Sequence, residues 1–222
     1  MKCKEIMILV FMALVFVTGV RYMNPSEEVA VDNEVVMESP QIALTFDDGP
    51  HPKYTPMLLE GLQERGVKAT FFVIGKYVQE HPDIVKQMYE EGHLLGNHTY
   101  NHVEITRISD EEAYRELMDT SDLVYDITGM RMEFMRPPFG VWQKKLEEQV
   151  DVMPVLWTVD PLDWTTENEN EIVRKVVDEV EEGDIILLHD CHRSSVKAAL
   201  RIVDILLEKG FEFVTVDEIL MR

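Results

Sequence analysis

The chain has 222 residues, 45% of them apolar and 28% charged, which gives room for one large domain or two small ones and excludes collagen-like, low-complexity and wholly disordered chains. Acidic residues number 42 against 21 basic, a net charge of −21, so a phosphate backbone is repelled and general nucleic-acid binding is excluded. The two cysteines, Cys3 and Cys191, supply neither a disulfide framework nor a thiolate zinc site.

Met1-Lys2-Cys3-Lys4-Glu5 opens the chain, the run Ile6–Val20 carries no charge, and Arg21 follows. A basic start before an apolar run marks export. The run is short for a membrane span, which needs roughly 20 residues, while Val17 and Gly19 make only a weak processing site. The expectation over residues 1–22 is an N-terminal membrane anchor, with a cleaved signal peptide as the alternative. Lys2 and Lys4 keep the N-terminus inside, so either way the rest of the chain lies outside the cytoplasm. Residues 23–38 show no sustained period and read as an acidic linker. Residues 39–222 form the globular domain.

Within that domain, β-branched or aromatic runs alternate with helical patterns. The predicted strands are Ile42–Phe46, Thr70–Ile74, Leu94–Asn97, Glu133–Arg136, Val155–Thr158, Ile185–Leu188 and Glu212–Thr215. Thr55–Arg65 reads as a helix, with Pro56 in its first turn and Gly66 just past its end. Ser109–Asp126 opens on a capping-box spacing. Asn170–Glu182 and Ser195–Lys209 carry apolar stripes and stop at Gly183 and Gly210. Such alternation builds a parallel sheet with helices outside. Seven units suit a barrel with one unit missing, or an open doubly wound sheet. No glycine-rich dinucleotide fingerprint follows the first strand and no phosphate loop is present, so no nucleotide cofactor is expected.

The polar residues collect where these strands end. Asp47 and Asp48 follow the first, His98 and His102 the third, Asp160 and Asp163 the fifth, His189 and Asp190 the sixth, and Arg136 ends the fourth. In a parallel sheet all of these lie on the rim where barrel enzymes assemble their sites. His98-x-x-x-His102 on a helical turn would put two imidazoles on one face. With Asp48 they make a three-ligand catalytic metal set that leaves positions open for water and substrate. Alone, each has a plainer reading as an exposed loop histidine or a turn carboxylate. Arg136-Pro137-Pro138 is either a rigid connection or a guanidinium held to orient a carboxylate. Trp164 is either core or a stacking wall for a sugar ring. His189 is either a satisfied buried histidine or an imidazole at the strand mouth. His51, His81, His93 and His192 are given no role, and a packing role is expected for Cys191.

Thr45-Phe46-Asp47-Asp48-Gly49-Pro50, His98-Thr99-x-x-His102, Arg136-x-Pro138-Phe139, Asp160-x-x-Asp163-Trp164 and Leu187-x-His189 together resemble the five ordered motifs of the NodB-homology polysaccharide deacetylases, carbohydrate esterase family four. The resemblance covers essentially the whole globular part. It implies an α/β fold, an incomplete, distorted (β/α) barrel of about seven parallel strands. It implies Asp47 as general base, braced by Arg136, and a divalent metal held by Asp48, His98 and His102. That metal is usually zinc, sometimes cobalt or another first-row ion. It implies an oxyanion contact from the Phe139 backbone N–H, and His189 as general acid, oriented and tuned by Asp163. Trp164 and Leu187 would line the pocket for the acetyl group and sugar. The implied activity is removal of N-acetyl groups from amino-sugar polymers. For an exported chain, a cell-wall polysaccharide, peptidoglycan, is the expected substrate, and chitin oligomers or acetylxylan are the nearer alternatives. A base and an acid of this kind predict a bell-shaped pH profile. Two rivals belong to other classes. One is a metal-free glycosidase using Asp47 and Asp163, with carboxyl groups about 5–9.5 Å apart. The other is an inactive, anchored sugar-binding module with Trp164 as its platform.

Overall fold

A computed structural model describes residues 39–221. The expected anchor or signal peptide and the acidic linker lie outside the described residues. Strand β1, Gln41–Gly49, sets the pattern. Its even positions Ile42, Leu44 and Phe46 enter the main core cluster, while Ala43, Thr45 and Asp47 point to the opposite face. The remaining strands are β2 (Thr70–Val73), β3 (Leu94–Asn97), β4 (Phe134–Met135), β5 (Met153–Pro154), β6 (Ile185–His189) and β7 (Glu212–Val214). They form one seven-stranded sheet in the order β5-β4-β3-β2-β1-β6, with β7 paired to the start of β1. Every pairing is parallel. The sheet is not closed: the segment after β5 forms no strand against β6, and an isolated bridge, Val159↔Ile186, stands there instead.

Helices α1 (Tyr54–Glu64), α2 (Gly75–Glu80), α3 (Pro82–Glu90), α4 (Asp110–Thr128), α5 (Glu169–Glu179), α6 (Arg193–Glu208) and α7 (Val216–Leu220) complete the fold. Apolar residues of α1, α3, α5 and α6 pack on the even face of β1 and its neighbours, and this layer is the main core. The inner face holds a smaller apolar plug of Ala43, Phe72, Phe134, Val155, Ile185 and Val216. Thr45, Asp47 and Arg136 are buried on β1 and just beyond β4, so a polar group is built into the interior toward the C-terminal strand ends. The capping box of α4 forms as its spacing predicts: Ser109 Oγ accepts from the Glu112 N–H at 3.2 Å, and Glu112 accepts from the Ser109 N–H at 3.0 Å.

Three expectations need correction. First, strand five is Met153–Pro154, and the predicted Val155–Thr158 run is irregular. The cause is Arg136, which donates to the carbonyls of Val155 and Leu156, each at 3.2 Å, and so draws them away from a ladder. Second, β1 runs on through Asp47 and Asp48, with a bulge between Asp47 and Gly49. Third, residues 98–102 are a loop and not a helical turn. Helices α2, α3 and α7 add to the predicted set. They are short; α3 has Pro82 at its first position, and α7 opens on a Thr215-x-x-Glu218 capping box.

Candidate active site

Adjacent residues of a regular strand point to opposite faces. The β1 bulge breaks that rule. Asp48 takes φ 70, in the left-handed region, and both carboxylates then reach the same imidazole. His98 Nε2 lies 3.8 Å from Asp47 Oδ2 and 3.5 Å from Asp48 Oδ1.

The His98–His102 loop is held from three sides. The Thr99 and Tyr100 carbonyls accept from the first N–H groups of α2, Gly75 and Lys76, at 3.0 and 3.1 Å. Thr99 N–H donates to Asn97 Oδ1 at 2.8 Å. Asn101 N–H donates to Glu116 Oε2 at 2.7 Å. Thr99 and His102 both take positive φ, 63° and 56°. These two reversals, rather than a helical repeat, bring the second imidazole back to Asp48, with His102 Nε2 at 3.3 Å from Asp48 Oδ1. The two imidazole centroids are 5.0 Å apart.

The donor set fits a divalent cation. His98 Nδ1 lies 2.7 Å from the Arg136 carbonyl, which can only accept, so Nδ1 carries the proton and Nε2 offers a lone pair toward Asp48. Burial holds the His102 imidazole below its usual range, which favours the neutral form a metal requires. Burial pushes the Asp48 carboxyl up, but His98, with His189 and His102 adding, overcomes this when the imidazoles carry protons in the metal's place, and holds it down to about 2. Asp48 Oδ1 is buried without a hydrogen-bond donor. A carboxylate oxygen and two imidazole nitrogens thus converge within 4.8 Å of one another, a first-row metal's chemistry.

Asp47 stands beside this set on the buried side. Its Oδ1 accepts from Arg136 Nη1 at 2.8 Å, and the Arg136 side chain is wholly buried. The same Nη1 donates to Thr45 Oγ1 at 2.7 Å, and Thr45 in turn donates to the Ile186 carbonyl at 2.6 Å. The guanidinium also lies 4.2 Å from the Phe72 ring centre.

Across the β1–β6 pairing, Asp47 and His189 are register partners. His189 is gripped twice by Asp163: its backbone N–H donates to Oδ2 at 2.9 Å and its Nδ1 meets Oδ1 at 2.8 Å. Asp163 itself is 1% exposed. Burial alone would lower the His189 pKa, but the Asp163 carboxylate, with Asp47 and Asp48, raises it to about 9.

Phe139 takes φ 62 after two prolines, is exposed, and sets its ring edge-on to His102 with centroids 5.0 Å apart. Trp164 is 59% exposed and lies with Tyr54, Asp163 and Arg193 along a groove of about 630 Å³. Leu187 differs from the other sugar-site candidates. It is buried inside β6, on the same face as His189, and is absent from that groove's wall. Asp160 turns its side chain back to the Leu162 N–H at 2.8 Å and so shapes the turn before Asp163.

Three buried polar residues at the site were given no role in the sequence: Thr45, Asn97 and Asp190. Thr45 was signalled by its place two residues before Asp47 on the same strand face. Asn97 was signalled as a polar end to an apolar strand. Asp190 was signalled only by its place at the end of the sixth strand. Two of the other histidines make contacts within the fold. His51 Nδ1 accepts from the N–H groups of Lys53 and Tyr54 at the start of α1, and His93 Nδ1 accepts from Ala69. Burial and nearby carboxylates push the Cys191 thiol up, so it stays neutral.

A model of the polysaccharide deacetylase family matches residues 34–155. Peptidoglycan-N-acetylmuramic acid deacetylase PdaC of Bacillus subtilis (strain 168) is 40% identical over 195 residues, or 88% of this chain. The chain spans 41% of that protein's length. A peptidoglycan-N-acetylglucosamine deacetylase of Bacillus cereus is 41% identical over 187 residues, covering 81% of this chain and 87% of that protein. The solved structure of the Bacillus subtilis PdaC deacetylase aligns with a TM-score of 0.80 at 40% identity, covering 82% of this chain and 90% of that one. Fold, motif order and similarity along most of the domain agree, and the chain belongs to the polysaccharide deacetylase family.

Proposed function

We propose that this protein is a metal-dependent hydrolase that removes N-acetyl groups from the amino sugars of peptidoglycan and releases acetate. One observation carries the reading. Asp47 and His189 are register partners on neighbouring strands, and each is held by a buried counter-charge of its own, Arg136 for the acid residue and Asp163 for the histidine. A buried guanidinium faces the Asp47 carboxylate, and a carboxylate raises the pKa of the His189 imidazole. A carboxylate and an imidazolium side by side are the base and acid that amide hydrolysis needs.

Asp48, His98 and His102 would hold the metal, zinc being the ion their chemistry suits best. When bound, such a cation supplies Lewis-acid polarisation of the amide carbonyl and makes water a stronger acid. Asp47 Oδ1 is occupied by Arg136, so Oδ2 is the atom that takes the proton as water adds to the carbonyl carbon. His189 holds its Nδ1 proton against Asp163, which leaves Nε2–H to protonate the departing nitrogen as the C–N bond breaks. The products are acetate and a free amine. The Phe139 backbone, at its left-handed turn, is the candidate donor to the oxyanion, a class of contact worth roughly 3–4 kcal/mol in other enzymes. Trp164 offers an exposed face for a sugar ring along the groove, while Leu187 can reach the acetyl group only from beneath.

The names of the relatives support peptidoglycan over other polymers. The glycosidase reading needs two free carboxyl groups, whereas Asp47 is bound to Arg136 and Asp163 to His189. An export segment over residues 1–22 and a linker to residue 38 would place residues 39–222 outside the cytoplasm, where that polymer is found. The test is acetate release by the zinc-loaded chain from peptidoglycan, N-acetylglucosamine oligomers and acetylxylan. Release from peptidoglycan that stops on chelation and returns with zinc is expected. Release that survives chelation refutes the proposal.

A further inference from the structure

We propose that Asp190, acting with Thr55, is a positioning pair that locks the Asp48 bulge in its ligating shape and ties it to the strand end bearing His189. The inference rests on the reading of Asp48 as a metal ligand.

Asp190 follows His189 directly and is fully buried, so it cannot touch a substrate. Its Oδ2 accepts from Thr55 Oγ1. The same Thr55 oxygen accepts from the His51 backbone N–H at 2.7 Å, and the Thr55 N–H returns to the His51 carbonyl at 3.2 Å. A chain of hydrogen bonds therefore runs from the end of β6, through α1, to the backbone three residues after Asp48. Between those points the carboxyl of Asp190 lies flat against Gly49. A Cβ at Gly49 would fall 2.7 Å from Asp190 Cγ, so only glycine lets the two approach. On the other side, the Gly49 carbonyl accepts from the Ile74 N–H at 2.9 Å.

Gly49 is thus clamped between β2's end and Asp190, and His51 is tied to Asp190's partner Thr55 at the start of α1. The residue before this clamp is Asp48, whose φ of 70 is a conformation that a side chain bearing a Cβ avoids unless its surroundings enforce it. The remaining oxygen, Asp190 Oδ1, is buried with no partner. A buried acid left half-satisfied is poor design for stability alone. Its shape and its acceptor for Thr55 explain its place.

The test uses the full chain and four variants: Asp190→Ala, Asp190→Asn, Thr55→Val and Thr55→Ser. Zinc affinity is read by competition with a chelating dye. kcat and KM are read from acetate release on N-acetylglucosamine oligomers, and thermal midpoints are recorded without metal. Asp190→Ala and Thr55→Val are expected to weaken zinc binding about tenfold, as loss of a supporting contact does at other metal sites. They are expected to lower kcat several-fold with KM held within twofold. Asp190→Asn keeps the acceptor and Thr55→Ser keeps the hydroxyl, so both stay within threefold of the parent. Thr55→Val changes one atom in shape and decides the matter if Asp190→Ala does not fold. Zinc affinity and kcat within twofold of the parent in Thr55→Val overturn the pairing, even if the thermal midpoint falls. A parent that binds no zinc refutes Asp48 as a ligand, and the pair's role with it.

Discussion

The Asp163→Asn substitution separates proton control from simple orientation. Asp163 keeps two contacts with His189, at 2.9 and 2.8 Å, and asparagine preserves an oxygen for the backbone N–H while removing the charge. The His189 pKa is raised from 6.5 to about 9 against a burial effect that lowers it, so the carboxylates contribute more than the net rise. Without Asp163, the largest of them, the imidazole returns to its ordinary value or below. At pH 8 the protonated fraction then falls from about 0.9 to about 0.03, roughly a thirtyfold loss of the acid form. At pH 6 the two proteins differ in that fraction by less than about twofold. The expected signature is a defect in kcat that deepens from pH 6 to pH 8, with the basic limb moved down by at least about 2 units. These fractions are those of the metal-free site, and the two proteins are compared at equal zinc loading. A defect of the same size at both pH values would refute proton control by Asp163 and leave it an orienting role.

The same shift is a stability statement for the chelated protein. A folded-state pKa above the unfolded one stabilises the fold fully below pH 6.5, and that contribution is lost as the pH rises through 9. The rise in the His189 pKa corresponds to about 3 kcal/mol. Urea unfolding in EDTA should show the parent losing this between pH 6.5 and 9, and Asp163→Asn losing almost none of it.

The other consequences are simpler. His102→Ala or Asp48→Ala should drop bound zinc from about one per chain to near none by elemental analysis, and acetate release to the chelated background. Arg136→Met leaves Asp47 as an unpaired buried charge, so a loss of about 3–5 kcal/mol in urea unfolding is expected; a loss under about 1 kcal/mol would mean Asp47 has another partner. Trp164→Ala removes a largely exposed ring, so stability should stay within about 0.5 kcal/mol. KM for sugar oligomers should rise about tenfold, which corresponds to about 1.4 kcal/mol of lost stacking, with kcat little changed.

Much of this was legible in the chain because the signals were local. The apolar runs of β1 and β6, glycines past the helix ends and the Ser109–Glu112 box each depend on a few neighbouring residues. The concentration of charged groups after strands was legible for the same reason. What escaped depended on partners far away in sequence. No local pattern announces that Arg136 will take the carbonyls of Val155 and Leu156 and cut a strand short. The His98–His102 spacing predicted a helical turn, yet the N–H groups at the start of α2 claim the loop's carbonyls. Asp190 stood at the rim in the sequence, but its role is not visible until Gly49 and Thr55 are brought to it.

The strained backbone shows why such distant partners matter. Among the described residues, the non-glycine positions with positive φ are Asp48, Thr99, His102, Phe139 and Leu162. Two are proposed metal ligands, one lies between the imidazoles, one is the proposed oxyanion donor, and one precedes Asp163. Each such conformation costs of order 1–3 kcal/mol and lasts only where packing and hydrogen bonds over-determine it. The core of the sheet supplies that excess: β1 and β6 are buried on both faces, and their inner polar layer is tied down by a wholly buried arginine. A rigid barrel wall thus holds several unfavourable turns at one rim, and those turns aim a carboxylate and two imidazoles at a single point. Relaxing any one of them would ease the fold and unmake the site, so stability and chemistry are expected to trade against each other at these five positions more steeply than anywhere else in the domain.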